Sequence, residues 1–159
     1  MEKAVQENVV KDLAIKEGDR RWDEANDRLR YSVEYAQAGM KGLFLANGAG
    51  IISLLTFVGN SGQIVEPVAL WWSFCWFACG IAAILAAYVG AYLSQGYYML
   101  TVFFDSRNAE SAAYATGQNY DGSIEERKGD FASGAALFLS IVSLGLFIAG
   151  AFVGLDAIT

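Results

Sequence analysis

Charged side chains are absent from three long stretches of this chain, residues 42–65, 67–104 and 131–155. Apolar residues dominate each stretch, and each exceeds the roughly 18 residues that a helix needs to cross the hydrocarbon core of a bilayer. Helices of ordinary soluble domains pair an apolar face with a charged one, so they do not contain such stretches. The pattern therefore predicts an all-α integral membrane protein with three transmembrane helices.

The second uncharged stretch is too long for the bilayer alone. As a helix it measures about 57 Å, against a hydrocarbon core of about 30 Å, so we expect it to extend into the cytoplasm. The predicted segments are a cytoplasmic N-terminal helical segment (1–41), transmembrane helix 1 (42–59), an external loop (60–66), transmembrane helix 2 with its cytoplasmic extension (67–104), a cytoplasmic connection (105–130), transmembrane helix 3 (131–155) and an external tail (156–159).

The distribution of Lys and Arg predicts the orientation in the membrane. All 11 basic residues lie before the first uncharged stretch or between the second and the third. Because cytoplasmic loops carry an excess of basic residues, we expect the N terminus and the second loop inside the cell, and the first loop and the C terminus outside. The first 41 residues contain no apolar h-region, so no cleavable signal peptide is predicted. The expected location is the bacterial inner membrane.

The N-terminal segment has the spacing of an amphipathic helix. Gly18 is expected to interrupt it, with Asp19 capping a second start. A seam of apolar and small residues then recurs at helical spacing and favours packing on a partner helix over binding to the membrane surface; it consists of Trp22, Ala25, Leu29, Ser32 and Ala36. Further along, Ser123 and Glu126 match a capping box, which predicts the N-cap of the third helix at Ser123.

Small residues at four-residue spacing predict surfaces where helices approach closely. The longest row lies on transmembrane helix 2, and shorter pairs lie on the other two spans. Close packing is expected within the subunit or against another protein. The candidate packing residues are Ala78, Ala82, Ala86, Gly90 and Ser94 on helix 2, Ala46 and Gly50 on helix 1, and Gly150 and Gly154 on helix 3.

One amide and a group of tryptophans complete the candidate residues. Asn47 is the only amide within the predicted core of a span. An amide in hydrocarbon requires a partner, so we expect it to face protein, either in an interhelical hydrogen bond or in contact with a ligand or ion. Trp71, Trp72 and Trp76 are expected to anchor helix 2 at the outer interface.

The sequence contains few side chains that could support catalysis or metal binding within the predicted spans. The predicted span cores contain no Asp, Glu, Lys, Arg or His, so no catalytic, cofactor or metal-binding residue is predicted, although a carboxylate site for a hard cation stays open. The two cysteines, Cys75 and Cys79, lie four apart on one helix, a poor geometry for a disulfide. Basic residues alternate with acidic ones and the net charge is −6, which argues against nucleic-acid binding.

Together these features predict a non-enzymatic small membrane protein that acts through helix-mediated assembly. Its partners would be the lipid bilayer and either further copies of the chain or the other subunits of an inner-membrane complex, to which it would be an accessory subunit. The alternative is a gated pore or a membrane-disrupting effector, in which a ring of Asn47 side chains would form the constriction.

Overall fold

The computed structural model of the chain describes residues 2–61, 66–113, 117 and 119–157. These residues form three α-helices and no strand: α1 (Glu2–Ser61), α2 (Pro67–Ala113) and α3 (Ser123–Asp156). Each helix contains a segment that is long and apolar enough to cross a membrane, namely Val33–Asn60, Pro67–Asn108 and Ser123–Asp156. The prediction of an all-helical protein is thus confirmed, with three helices that are long and apolar enough to span a membrane.

The expected break at Gly18 is wrong, because α1 continues through this residue without interruption. A single glycine costs a helix interior only about 1 kcal/mol relative to alanine, which the strong helix formers on both sides offset. The chain nevertheless divides into two compact units, Met1–Gly39 and Met40–Thr159.

The first unit is helical, and its described side chains are exposed. Arg30 forms ion pairs with Asp27 at 3.6 Å and with Glu34 at 4.0 Å. Such exposed pairs contribute little to stability. Of the predicted seam, Ala36 is exposed, whereas the side chains of Trp22, Ala25, Leu29 and Ser32 lie outside the described part of the chain.

Both ends of α2 have clear local causes. At its start, the carboxylate of Glu66 accepts the backbone N–H of Ala69, and Pro67 takes the first helical position, where its missing N–H costs nothing. At its other end the helix continues to Ala113. There the Asn108 side chain donates to the carbonyl of Tyr120 at 2.8 Å and accepts the N–H of Tyr120 at 2.6 Å. These bonds hold the segment before α3 against α2.

The predicted capping box at Ser123 does not form, since the N-cap of α3 is Gly122. A Cβ atom at Gly122 would lie 3.3 Å from Thr101 Cγ2, so the close approach of α2 favours glycine at this position. The carboxylate of Asp121 accepts the Ser123 N–H at 3.0 Å. This bond from the backbone, with a second from the Ser123 side chain, holds the pKa of the Asp121 carboxyl below its ordinary value.

α2 and α3 pack antiparallel within the second unit. The N–H of Glu66 donates to the carbonyl of Ala157 at one end, and the Tyr98 hydroxyl donates to Asp130 at 2.6 Å near the other. Four of the five buried residues of α3 recur every seven residues, and the buried residues of α2 from Ser73 to Ala87 alternate steps of four and three, the spacing of helices in left-handed supercoils. The four on α3 are Gly129, Ala136, Ser143 and Gly150, and those on α2 are Ser73, Phe77, Gly80, Ile84 and Ala87.

Candidate functional site

A chain of hydrogen bonds connects the three helices through Asn47, which is fully buried. Asn47 Nδ2 donates to the carbonyl of Leu43 at 2.9 Å, one turn earlier in α1, and to Ser143 Oγ of α3 at 3.3 Å. Ser143 Oγ in turn donates to the carbonyl of Gly80 on α2 at 2.8 Å. A hydroxyl donates one hydrogen and accepts others, so Ser143 makes both bonds at once. We call this arrangement the Asn47–Ser143–Gly80 chain.

At Gly80, α2 leaves no room for a side chain beside Asn47 of α1. A Cβ atom at residue 80 would collide with Asn47 Oδ1, so no other residue type fits without movement. Asn47 Oδ1 is buried and accepts no hydrogen bond from the described residues. Its contact is the Cα–H group of Gly80, which lies where that Cβ would be and provides a weak donor.

The ring of Phe77 fills a second contact between the helices. Phe77 is 3% exposed, and its ring lies between Gly50 of α1 and Gly150 of α3. A Cβ atom added at Gly50 would lie 2.6 Å from the Phe77 ring, and one added at Gly150 would lie 3.1 Å from it. One turn away, Ser73 Oγ donates to the carbonyl of Gly150 at 2.6 Å. Two of the predicted small residues thus form the walls for one aromatic side chain.

The predicted row on α2 does not lie on one side of the bundle. Ala78, Ala82 and Ala86 are exposed, Gly90 is half-buried, and Ser94 is 2% exposed. Residues four apart rotate by about 40° at each step around an α-helix, so the row winds from the outside of the bundle to α3. A Cβ atom at Gly90 would lie 3.2 Å from the carbonyl oxygen of Ala132. The three exposed alanines stay a prediction for contact with another chain.

The remaining predicted residues lie at the edges of these contacts. Ala46 is half-buried, and Gly154 is buried, where a Cβ atom would lie 2.9 Å from Ser73 Oγ. Trp71 and Trp72 are 66% and 54% exposed, and Trp76 is half-buried.

The sequence interpretation missed the residues that complete the contacts, Ser73, Phe77, Gly80 and Ser143. A signal for α3 was present, because small residues recur every seven positions from Gly129 to Gly150. No comparable signal marks Gly80, whose role depends on which residue of α1 lies opposite.

The chemistry of the site is that of packing and hydrogen bonding. The buried hydroxyls of Ser73 and Ser143 already donate to backbone carbonyls. Among the described residues, no group of three or more His, Cys, Asp or Glu side chains could hold a metal ion. Cys75 is half-buried and Cys79 is exposed, and both are free thiols.

Comparisons with protein-family models, with curated proteins and with solved structures found no match to this chain.

Proposed function

We propose that this small membrane protein is non-enzymatic and acts through helix-mediated assembly, as a homo-oligomer or as an accessory subunit of an inner-membrane complex. The observation that carries the proposal is the exposure of Ala78, Ala82 and Ala86 on α2. In a bilayer, close packing of small residues, rather than burial from water, drives helices together. Exposed small residues in a row therefore favour the close approach of a further helix.

A second exposed surface of the same kind lies on α1. Gly42, Ala49, Ser53 and Thr56 share one helix face by their spacing, and all four are exposed. The Thr56 hydroxyl donates to the carbonyl of Ile52 at 2.8 Å, so it needs no water in a bilayer. An isologous contact between the α2 alanines of two copies would place Cys79 of one copy beside Cys79 of the other, and it would leave this face of α1 for a further helix.

The buried polar groups support a non-enzymatic role. Nucleophilic catalysis requires a base that activates a hydroxyl, but Ser73 and Ser143 bond to backbone carbonyls. The Asn47 amide is likewise engaged with Leu43 and Ser143. These groups hold the bundle together and present no reactive arrangement.

Oxidative cross-linking in native membranes tests the proposal. With Cys75 replaced by Ser, the exposed Cys79 lies beside Ala78 and Ala82, so a homo-oligomer with this interface gives a disulfide-linked dimer. A86L should reduce the cross-link strongly, because a larger side chain keeps the helices apart. The control moves the thiol to an exposed position of α3 in the variant C75S/C79S/S133C, which should not cross-link.

The accessory-subunit form gives a different outcome in the same preparation. There we expect no self-cross-link and stable co-purification of other membrane subunits in mild detergent, with loss of those subunits in A86L. A protein that neither cross-links nor retains a partner would contradict assembly through this surface.

Ion flux separates assembly from the competing pore hypothesis. Asn47, the expected constriction, is buried within a single chain, so conduction past it would require the Asn47–Ser143–Gly80 chain to open. Purified protein in liposomes should be silent. Robust flux that N47L abolishes would establish the pore instead.

A further inference from the structure

An open groove of about 600 Å³ runs between α2 and α3 near the start of α3. Its apolar wall includes Gly90, Leu93, Phe131 and Ala135, and its other end is lined by Tyr97, Arg127 and Lys128. Leu93 and Phe131 are 47% and 80% exposed, so the groove opens sideways along the helices. An occupant would therefore enter from the bilayer.

The charged residues that line the groove are basic, and the acidic residues of α3 lie outside its lining. The nearest acidic residues of α3, Glu125, Glu126 and Asp130, do not line it. Asp130 accepts the hydrogen bond of Tyr98, and Glu125 lies 3.8 Å from Lys128 Nζ. Glu126 lies about 100° around the helix axis from Arg127, the next residue. The lining itself therefore carries positive charge only.

The groove also lies at the depth of lipid headgroups. Residues 131–155 are uncharged and span about 37 Å as a helix, slightly more than the roughly 30 Å of hydrocarbon. Arg127 and Lys128 lie within about one turn of the end of this stretch, so they reach the phosphates, while Ala135 and Leu93 lie among the acyl chains.

We propose that this groove binds an anionic phospholipid, with its phosphate at Arg127 and Lys128 and an acyl chain along Leu93 and Ala135. The planar guanidinium of Arg127 offers paired donors to phosphate oxygens. Tyr97, over whose ring Lys128 Nζ lies at 5.7 Å, adds a hydroxyl at the same level. A smaller groove between α1 and α2 repeats the combination with Lys41 and Tyr88 above Leu85.

Native mass spectrometry of the full-length protein tests the proposal. The protein in detergent is incubated with equal amounts of dioleoylphosphatidylglycerol and dioleoylphosphatidylcholine, and bound lipids are counted. The wild type should retain phosphatidylglycerol preferentially. Since each basic residue near an anionic headgroup contributes about fivefold to binding, R127Q/K128Q should lose most of this preference. The control K16Q/R30Q removes the same charge from the first unit and should keep it.

A second pair of variants tests whether the apolar wall of the groove binds an acyl chain. A135F fills the groove and should reduce binding of phosphatidylglycerol several-fold without changing any charge, whereas S133F adds the same ring at an exposed position outside the lining and should not. Glycerol phosphate in excess distinguishes a lipid from a free phosphate and should not compete. The proposal is overturned by equal retention of the two lipids, by equal losses in the two charge variants, or by full competition from glycerol phosphate.

Discussion

The side chain of Asn47 on α1 occupies the space that any side chain at Gly80 on α2 would need. The relationship makes the two residues interdependent. Asn47 reaches Ser143 only because α2 approaches without a side chain, and Gly80 receives the hydrogen bond of Ser143 at the same point. A polar contact among three helices therefore depends on one missing Cβ atom.

Replacing Gly80 by Ala should destabilise the bundle. The added methyl group collides with Asn47 Oδ1, and overpacking of this kind costs about 1–3 kcal/mol. Thermal unfolding in detergent, followed by circular dichroism, measures the loss. G96A is the matched control, because nothing lies near a Cβ atom at that helical position. N47A should relieve much of the cost of G80A; fully additive effects would show that the two residues are not coupled.

Replacing Ser143 by Ala should cost less than G80A but remain measurable. It removes the donor to Gly80 and one acceptor of Asn47, and interhelical hydrogen bonds in membrane proteins average about 0.6 kcal/mol. S140A is the control, since the Ser140 hydroxyl donates to the carbonyl of Ala136 in its own helix and not to another helix among the described residues. Equal unfolding temperatures for S143A and S140A would mean that the Asn47–Ser143–Gly80 chain contributes nothing.

The charge pattern of the sequence was sufficient to predict the three helices, because the bilayer imposes the length of an uncharged segment directly. Side-chain partners were harder to predict. The row from Ala78 to Ser94 follows a spacing of four, but helices in this bundle meet at alternating spacings of three and four, as Ser73, Phe77 and Gly80 do. A row at constant spacing of four necessarily rotates out of such a contact.

The boundaries of the helices show the same limit. Gly122 rather than Ser123 caps α3, and a Cβ atom at residue 122 would lie close to Thr101 of another helix, a contact that the local sequence does not reveal. Asn47 was recognised as an amide in need of a partner, but the sequence alone contains no information on which helices would meet there. Local rules identify the residues that need contacts, and packing decides the contacts.

Reporter fusions test the orientation that the basic residues predict. Fusions after residue 62 and at the C terminus should both report an external location, because neither region carries a Lys or Arg, whereas a fusion after Arg127 should report the cytoplasm. Adding positive charge to the first loop, by replacing both Asn60 and Gln63 with Lys, should lower the external signal. A cytoplasmic signal from residue 62 in the unaltered chain would contradict the predicted topology.

The start of α3 should respond to pH through Asp121. Its folded pKa lies below the ordinary value because the ionised carboxylate accepts the Ser123 N–H. A lowered pKa means that the stabilisation is present above the unfolded pKa of about 3.9 and is lost as the pH falls through the folded pKa. Carbon-detected nuclear magnetic resonance should give an Asp121 titration midpoint below the ordinary aspartate value of about 3.9. In D121N, an acid-induced shift of the Ser123 amide should disappear, while an unchanged shift would show that another group controls this helix start.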